Sequence, residues 1–163
     1  MTTASAAHAH TMTMPGDRDL RVERIFNASR DRVWKAYTDP KLVAQWWGRG
    51  NKLDIEVMEL KPGGRWRFVE HAGDKPFGFE GEYREITPQD RIVQTFGWDG
   101  MPGHSILETA EFHDLGDGRT KVISTSLFVS GEERDQMLGY GMEQGMSESY
   151  AALDKLLAEG RDS

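Results

Sequence analysis

Cysteine is missing from this sequence altogether, which removes disulfides, zinc-thiolate sites and thiol nucleophiles from consideration. Its absence fits a reducing compartment, and the cytoplasm is the expected location. Basic residues are outnumbered, with Lys+Arg 20 against Asp+Glu 27 and a formal net charge of −7. No nucleic-acid partner is expected, because tracking phosphates needs Lys and Arg gathered on one face. Long hydrophobic runs are lacking too. None approaches the roughly 20 apolar residues of a spanning helix, and the polar start has no apolar stretch of signal-peptide type. Motifs for hydrolysis or metal binding are also wanting: there is no Gly-x-Ser-x-Gly elbow, no His-Glu-x-x-His and no acidic calcium loop. His71, His104 and His113 fall on separate predicted strands, so we expect no catalytic triad, no metal and no cofactor.

What is present is one domain's worth of patterned chain. The 163 residues can bury a real core without staples. Residues 1–17, rich in Thr, Ala, Ser and His and ending near Pro15-Gly16, read as a disordered tail, and 18–163 as the folded domain. Leu20, Val22 and the Ile25-Phe26 pair mark a first strand by near-alternation. Ser29 then caps a short helix carrying Val33, Trp34 and Tyr37, and Pro40 opens a second with Leu42, Val43 and Trp46.

From Leu53 onward the pattern is of alternating segments divided by Gly, Pro and Asp. They run Leu53 to Leu60, Arg65 to His71, Gly78 to Ile86, Arg91 to Trp98, His104 to His113 and Arg119 to Phe128. Short connections make neighbouring strands antiparallel, so the expectation is a curled seven-stranded meander. Ser130 with Glu133 forms a capping box, after which Met142, Met146, Tyr150, Leu153 and Leu157 mark the apolar stripe of a long helix. The sheet is the only large partner for that stripe, which gives an α+β fold with the helix across the concave face.

Two glycine-rich stretches do not carry chemistry. Gly139-Tyr140-Gly141-Met142-Glu143-Gln144-Gly145 is out of register with a dinucleotide fingerprint and follows no strand of a parallel unit. Gly63-Gly64 is a hairpin turn with no helix N-terminus behind it. The aromatic residues say more. Trp46, Trp47, Trp66, Phe68, Phe79, Tyr83, Phe96, Trp98, Phe112, Phe128 and Tyr150, with Met142 and Met146, all belong to elements around the space between sheet and helix. Such a lining is either an ordinary core or the wall of a deformable ligand pocket. Parity on the last strand turns Ser124 and Ser126 inward, and parity on the strand before it brings His104 and Glu108 to the same face.

Several ordered motifs give the chain a family likeness. Val33-Trp34-Lys35-Ala36-Tyr37-Thr38-Asp39-Pro40, Trp46-Trp47-Gly48, Gly63-Gly64-Arg65-Trp66-Arg67-Phe68, Gly81-Glu82-Tyr83-Arg84-Glu85-Ile86 and Gly145-Met146-Ser147-Glu148-Ser149-Tyr150-Ala151-Ala152-Leu153 resemble the bacterial homologues of the activator of heat-shock protein 90 ATPase. The likeness covers about Leu20 to Glu159. It implies the START-like helix-grip fold, a curved antiparallel sheet holding a C-terminal helix with a cavity between. Relatives on that fold include lipid and hormone carriers, polyketide cyclases or aromatases, resistance proteins and co-chaperones.

The expected function is therefore non-catalytic binding of a small apolar molecule, lipid-like, aromatic or polyketide-like. Its contacts would come from Trp46, Trp66, Phe68, Tyr83, Phe96, Trp98, His104, Phe112, Met142, Met146 and Tyr150. One alternative is a cyclase or aromatase using His104, Glu108 or Tyr83 to move protons. Another is a protein-interaction module regulating a chaperone or a stress response, which a folded chain with only water-sized cavities would favour. An exposed strand edge or the Trp46-Trp47 loop offers a surface for a homodimer.

Overall fold

The computed structural model describes residues 10–49, 51–100 and 105–159. Strict alternation builds the first long strand, β2 (Asp19–Phe26), in which Leu20, Val22, Arg24 and Phe26 are buried. Ahead of it, β1 (Thr11–Thr13) pairs along its free edge with Met12 opposite Val22. The sequence reading assigned these residues to a tail; Met12 packs on the core, and the open edge of β2 supplies the backbone partners. Residues 1–9 of that expected tail lie outside the described residues. Two helices follow, α1 (Arg30–Thr38) and α2 (Pro40–Trp46), joined by Asp39. The Asp39 backbone N–H donates to Lys35 O at 2.9 Å, closing α1, and its carboxylate accepts from Lys41 N at 2.9 Å, starting α2.

The remaining strands are β3 (Lys52–Met58), β4 (Arg65–Ala72), β5 (Lys75–Thr87), β6 (Arg91–Trp98), β7 (Ser105–Asp114) and β8 (Thr120–Leu127). All pairs are antiparallel, in the order β1-β2-β8-β7-β6-β5-β4-β3, so the expected seven strands become eight through β1. The expected loop over Ala72 to Phe77 shrinks to the turn Gly73-Asp74, because Ala72 already pairs with Lys75. Bulges between Ile55 and Val57 and between Tyr83 and Glu85 bend the sheet. Gly81 is required at the bend. A Cβ there would stand 1.9 Å from Thr95 O and 2.6 Å from Trp66 Nε1, and the indole N–H uses that gap to donate to Thr95 O at 3.1 Å.

The expected long C-terminal helix is two helices, α3 (Gly131–Gly139) and α4 (Met142–Glu159). Ser130 caps the first as foreseen, with Oγ accepting from Glu133 N at 3.1 Å. The break comes at Gly141, whose φ of +88° is open to glycine at little cost and stops one helix before the next begins. On α4, Tyr150, Leu153 and Leu157 are buried while Met146 and Leu156 lie at the margin of the core. The Phe26 and Tyr150 rings meet edge-on at 5.6 Å, which places the helix on the concave face.

Candidate ligand site

The concave face is apolar at one end and polar at its middle, and strand register fixes the arrangement. Phe96, Ile106 and the residue after β8, Phe128, stand together near the open end of the sheet. One same-face step inward, about 6.8 Å along a strand, lies a polar row in which Glu108 has Gln94 on one side and Ser126 on the other. A further step inward come Ile92, Ala110 and Ser124.

Space remains at the apolar end. A pocket of about 20 Å³ is lined by Phe96, Trp98, Ile106, Phe128, Val129 and Met137, together with the polar Ser105 and Glu133. That volume is on the scale of one water. Its outer wall is α3, which contributes no fully buried residue. Beside the opening, Val129 is 60% and Tyr140 68% exposed, and the Tyr140 ring lies 6.3 Å from that of Trp98.

The middle row and the step beyond it are hydrogen-bonded, with Ser126 and Tyr150 buried and Glu108 and Ser124 half-buried. Ser126 Oγ donates to Glu108 Oε2 at 3.3 Å, and Ser124 Oγ lies 3.4 Å from the Tyr150 hydroxyl. The Tyr37 and Tyr150 phenols lie close enough to perturb each other's ionisation. Burial pushes the Glu108 carboxyl up to about 7, against a smaller opposing pull from Ser126. Both phenols, Tyr37 and Tyr150, are also pushed up by burial. On the neighbouring strand Arg24 donates to Asp154 Oδ2 at 2.6 Å and covers the rings of Phe26 and Tyr150 at 4.9 and 5.5 Å.

The expected lining residues separate into groups. Trp66, Phe68 and Phe96 do cluster, with Trp66 centroids 4.8 and 5.8 Å from the other two. The space in front of them is filled by Trp47, whose ring sits 5.2 Å from Phe68 and 5.0 Å from Phe79. Its neighbour Trp46 turns the other way, donating Nε1–H to Ala36 O at 2.9 Å and packing on Tyr37. Phe112 packs there too, 5.0 Å from Tyr37. Tyr83 is buried in the main core, and burial pushes its phenol up. Met146 packs on that same core, whereas Met142 packs with Ile106 and Phe128. Of the expected residues that are described, Phe96 and Trp98 line the pocket. His104 lies outside the described residues.

Trp47 is held by a polar latch. Glu70 Oε2 accepts from Arg49 Nε at 2.9 Å, Arg49 Nη2 at 2.6 Å and Asn51 Nδ2 at 2.7 Å, while Arg49 N donates to Ser149 Oγ at 2.9 Å. The latch joins the loop after α2 to β4 and to α4. Sequence reasoning placed Trp47 and Phe128 on elements around this space without counting them among the ligand contacts, and it named neither Ile106 nor Met137. For Ile106 the signal was available, since it shares the inward parity of Glu108.

Among the described residues no group of three His, Cys, Asp or Glu side chains could hold a metal, and no helix is long and apolar enough to cross a membrane. The fold has solved relatives. A Rhodobacter sphaeroides protein has a TM-score of 0.83 at 25% identity over 92% of this chain and 98% of its own. An Arthrobacter aurescens protein also reaches 0.83, at 23% identity over 91% of each chain. DynU16, a protein in the dynemicin biosynthetic locus, gives 0.68 at 25% identity over 89% of this chain, which spans only 49% of DynU16. A search of proteins with curated function finds no match. The family model for Activator of Hsp90 ATPase homolog 1-like proteins matches residues 27–158. With that match covering most of its length, the chain belongs to the Activator of Hsp90 ATPase homolog 1-like family.

Proposed function

We propose that the chain binds a small apolar molecule at the open end of the sheet, without chemically changing it. The reading rests on one observation: a mainly apolar pocket that lies one same-face step from a polar row and whose outer wall is a helix with no buried anchor. A guest larger than water enters by displacing α3, which turns about the Gly141 break. Met137 and Met142 line the route and repack around guests of different shape. A naphthalene-sized guest burying about 300 Å² at about 25 cal/mol per Å² gains about 7 kcal/mol before association and opening costs. Binding in the micromolar to millimolar range follows. Titration of the full chain with naphthylethanol, read by tryptophan fluorescence, tests the reading; saturable 1:1 quenching is expected, and no response up to about 1 mM contradicts it.

The small volume of the pocket favours a second reading, in which the chain is a protein-interaction module of the kind its family name describes. A chain that binds no apolar guest yet forms a specific complex with a chaperone ATPase would support that reading over the first.

A further inference from the structure

We propose that the guest of this site is an organic cation, an apolar or aromatic body ending in a protonated amine that pairs with the Glu108 carboxylate. This rests on the apolar-pocket reading and adds the chemistry of the inner end.

Three observations carry it. First, Glu108 stands one same-face step inward of the pocket wall residue Ile106, so a guest that reaches inward past Phe96, Ile106 and Phe128 meets its carboxyl. Second, a carboxylate offers about four acceptor positions. Ser126 occupies one oxygen at 3.3 Å, and among the described residues no Lys, Arg or His forms an ion pair with Glu108. Third, the charges facing the site disfavour an anion. Arg24 on β2 is paired with Asp154, Tyr37 of α1 and Tyr150 of α4 are neutral phenols, the one acid on the pocket wall among the described residues is Glu133 of α3, and the formal net charge is −7. Gln94 on β6 and Ser126 on β8 are neutral neighbours. An arriving ammonium supplies the counter-charge that a half-buried carboxylate otherwise lacks, through a charge-assisted hydrogen bond, and the rings of Phe96 and Phe128 favour a cation over an anion in passing.

The test uses three probes with one body: naphthylethylamine, naphthylethanol and naphthylacetate, each titrated into the full chain at pH 8. The expected order is amine over alcohol by about tenfold, with the carboxylate at least about tenfold weaker than the alcohol. Glu108→Gln, whose amide oxygen can still accept from Ser126, should bring the affinities for the amine and the alcohol to within about twofold of each other in the same variant. The wild-type chain gives an independent readout: the amine-to-alcohol affinity ratio should rise about tenfold from pH 6 to pH 8 as Glu108 ionises. Equal affinities for all three probes, with no pH trend, overturn the cation assignment while leaving the apolar pocket in place. Tightest binding of the carboxylate overturns it as well. Failure of every probe removes the pocket itself, and the cation assignment with it.

Discussion

Replacing Glu108 by Gln should stabilise the chain, and by an amount that depends on pH. The carboxyl moves from its ordinary value of 4.5 to about 7 on folding, mainly because burial penalises the charge. A raised acid binds its proton more tightly in the folded state. Between pH 4.5 and 7 the folded chain therefore holds a proton that the unfolded chain has released, and stability falls across that window as pH rises. At about 1.4 kcal/mol for each unit of difference, the loss is at most about 3 kcal/mol, and partial solvent access reduces it to about 1–3 kcal/mol. Gln is nearly isosteric, keeps an acceptor for Ser126 and does not titrate. Denaturant unfolding of both proteins at pH 5 and pH 8 isolates the effect, because other groups titrate alike in the two. Near-equal stability at pH 5 and a gain of about 1–3 kcal/mol for the variant at pH 8 are expected. Parallel wild-type and variant curves across that range would refute the claim that this carboxyl is buried without a compensating cation.

Other perturbations bear on the rest of the molecule. Met137→Trp places a large ring on the pocket wall at a half-buried position, and should weaken naphthylethanol binding at least about tenfold while shifting the melting temperature by less than about 2 °C; unchanged affinity would put the guest elsewhere. Glu70→Ala removes the acceptor that gathers Arg49 and Asn51, and should cost about 2 kcal/mol, since Arg49 can turn to solvent. The same variant should red-shift the tryptophan emission as Trp47 loosens, and an unmoved spectrum would contradict the latch. Gly81→Ala sets a methyl against Thr95 O and Trp66 Nε1 and should destabilise by about 2–3 kcal/mol in chemical unfolding; a neutral outcome would mean that β5 shifts freely at its bend.

Much of the architecture was legible because it rests on period and punctuation. Alternation in Arg65-Trp66-Arg67-Phe68 put the indole and phenyl inside and the guanidinium groups outside, and Arg67 is indeed on the convex face, bonding Glu80 at 2.8 Å and Asp99 at 2.9 Å. Parity also brought Ser124, Ser126 and Glu108 inward, where they bond one another or Tyr150. Three things escaped for physical reasons. In β2 the sequence draws the eye to Ile25, yet strict alternation buries Arg24, a charge accepted there because Asp154 of α4 meets it. Of the adjacent pair Trp46-Trp47, the helix end decides which ring faces the sheet. Trp46 is the last residue of α2 and tucks beneath α1, while Trp47 leaves the helix in extended conformation and fills the space in front of Trp66 and Phe68. The opening consequently lies nearer α3, and no periodic stripe marks Met137 as a lining residue. Finally, β1 rests on three residues whose pairing depends on a free edge that only the folded sheet provides.

The central claim, that an apolar guest enters between α3 and the end of the sheet, is tested most directly with the methionine methyl groups as reporters. Methyl-labelled full chain titrated with naphthylethanol should show saturable shifts of Met137 and Met142, which stand at the opening. Met58, packed at the far edge of the core, and the exposed Met14 should stay in place. Shifts confined to Met58 or Met14, or none at all up to about 1 mM guest, would contradict the account.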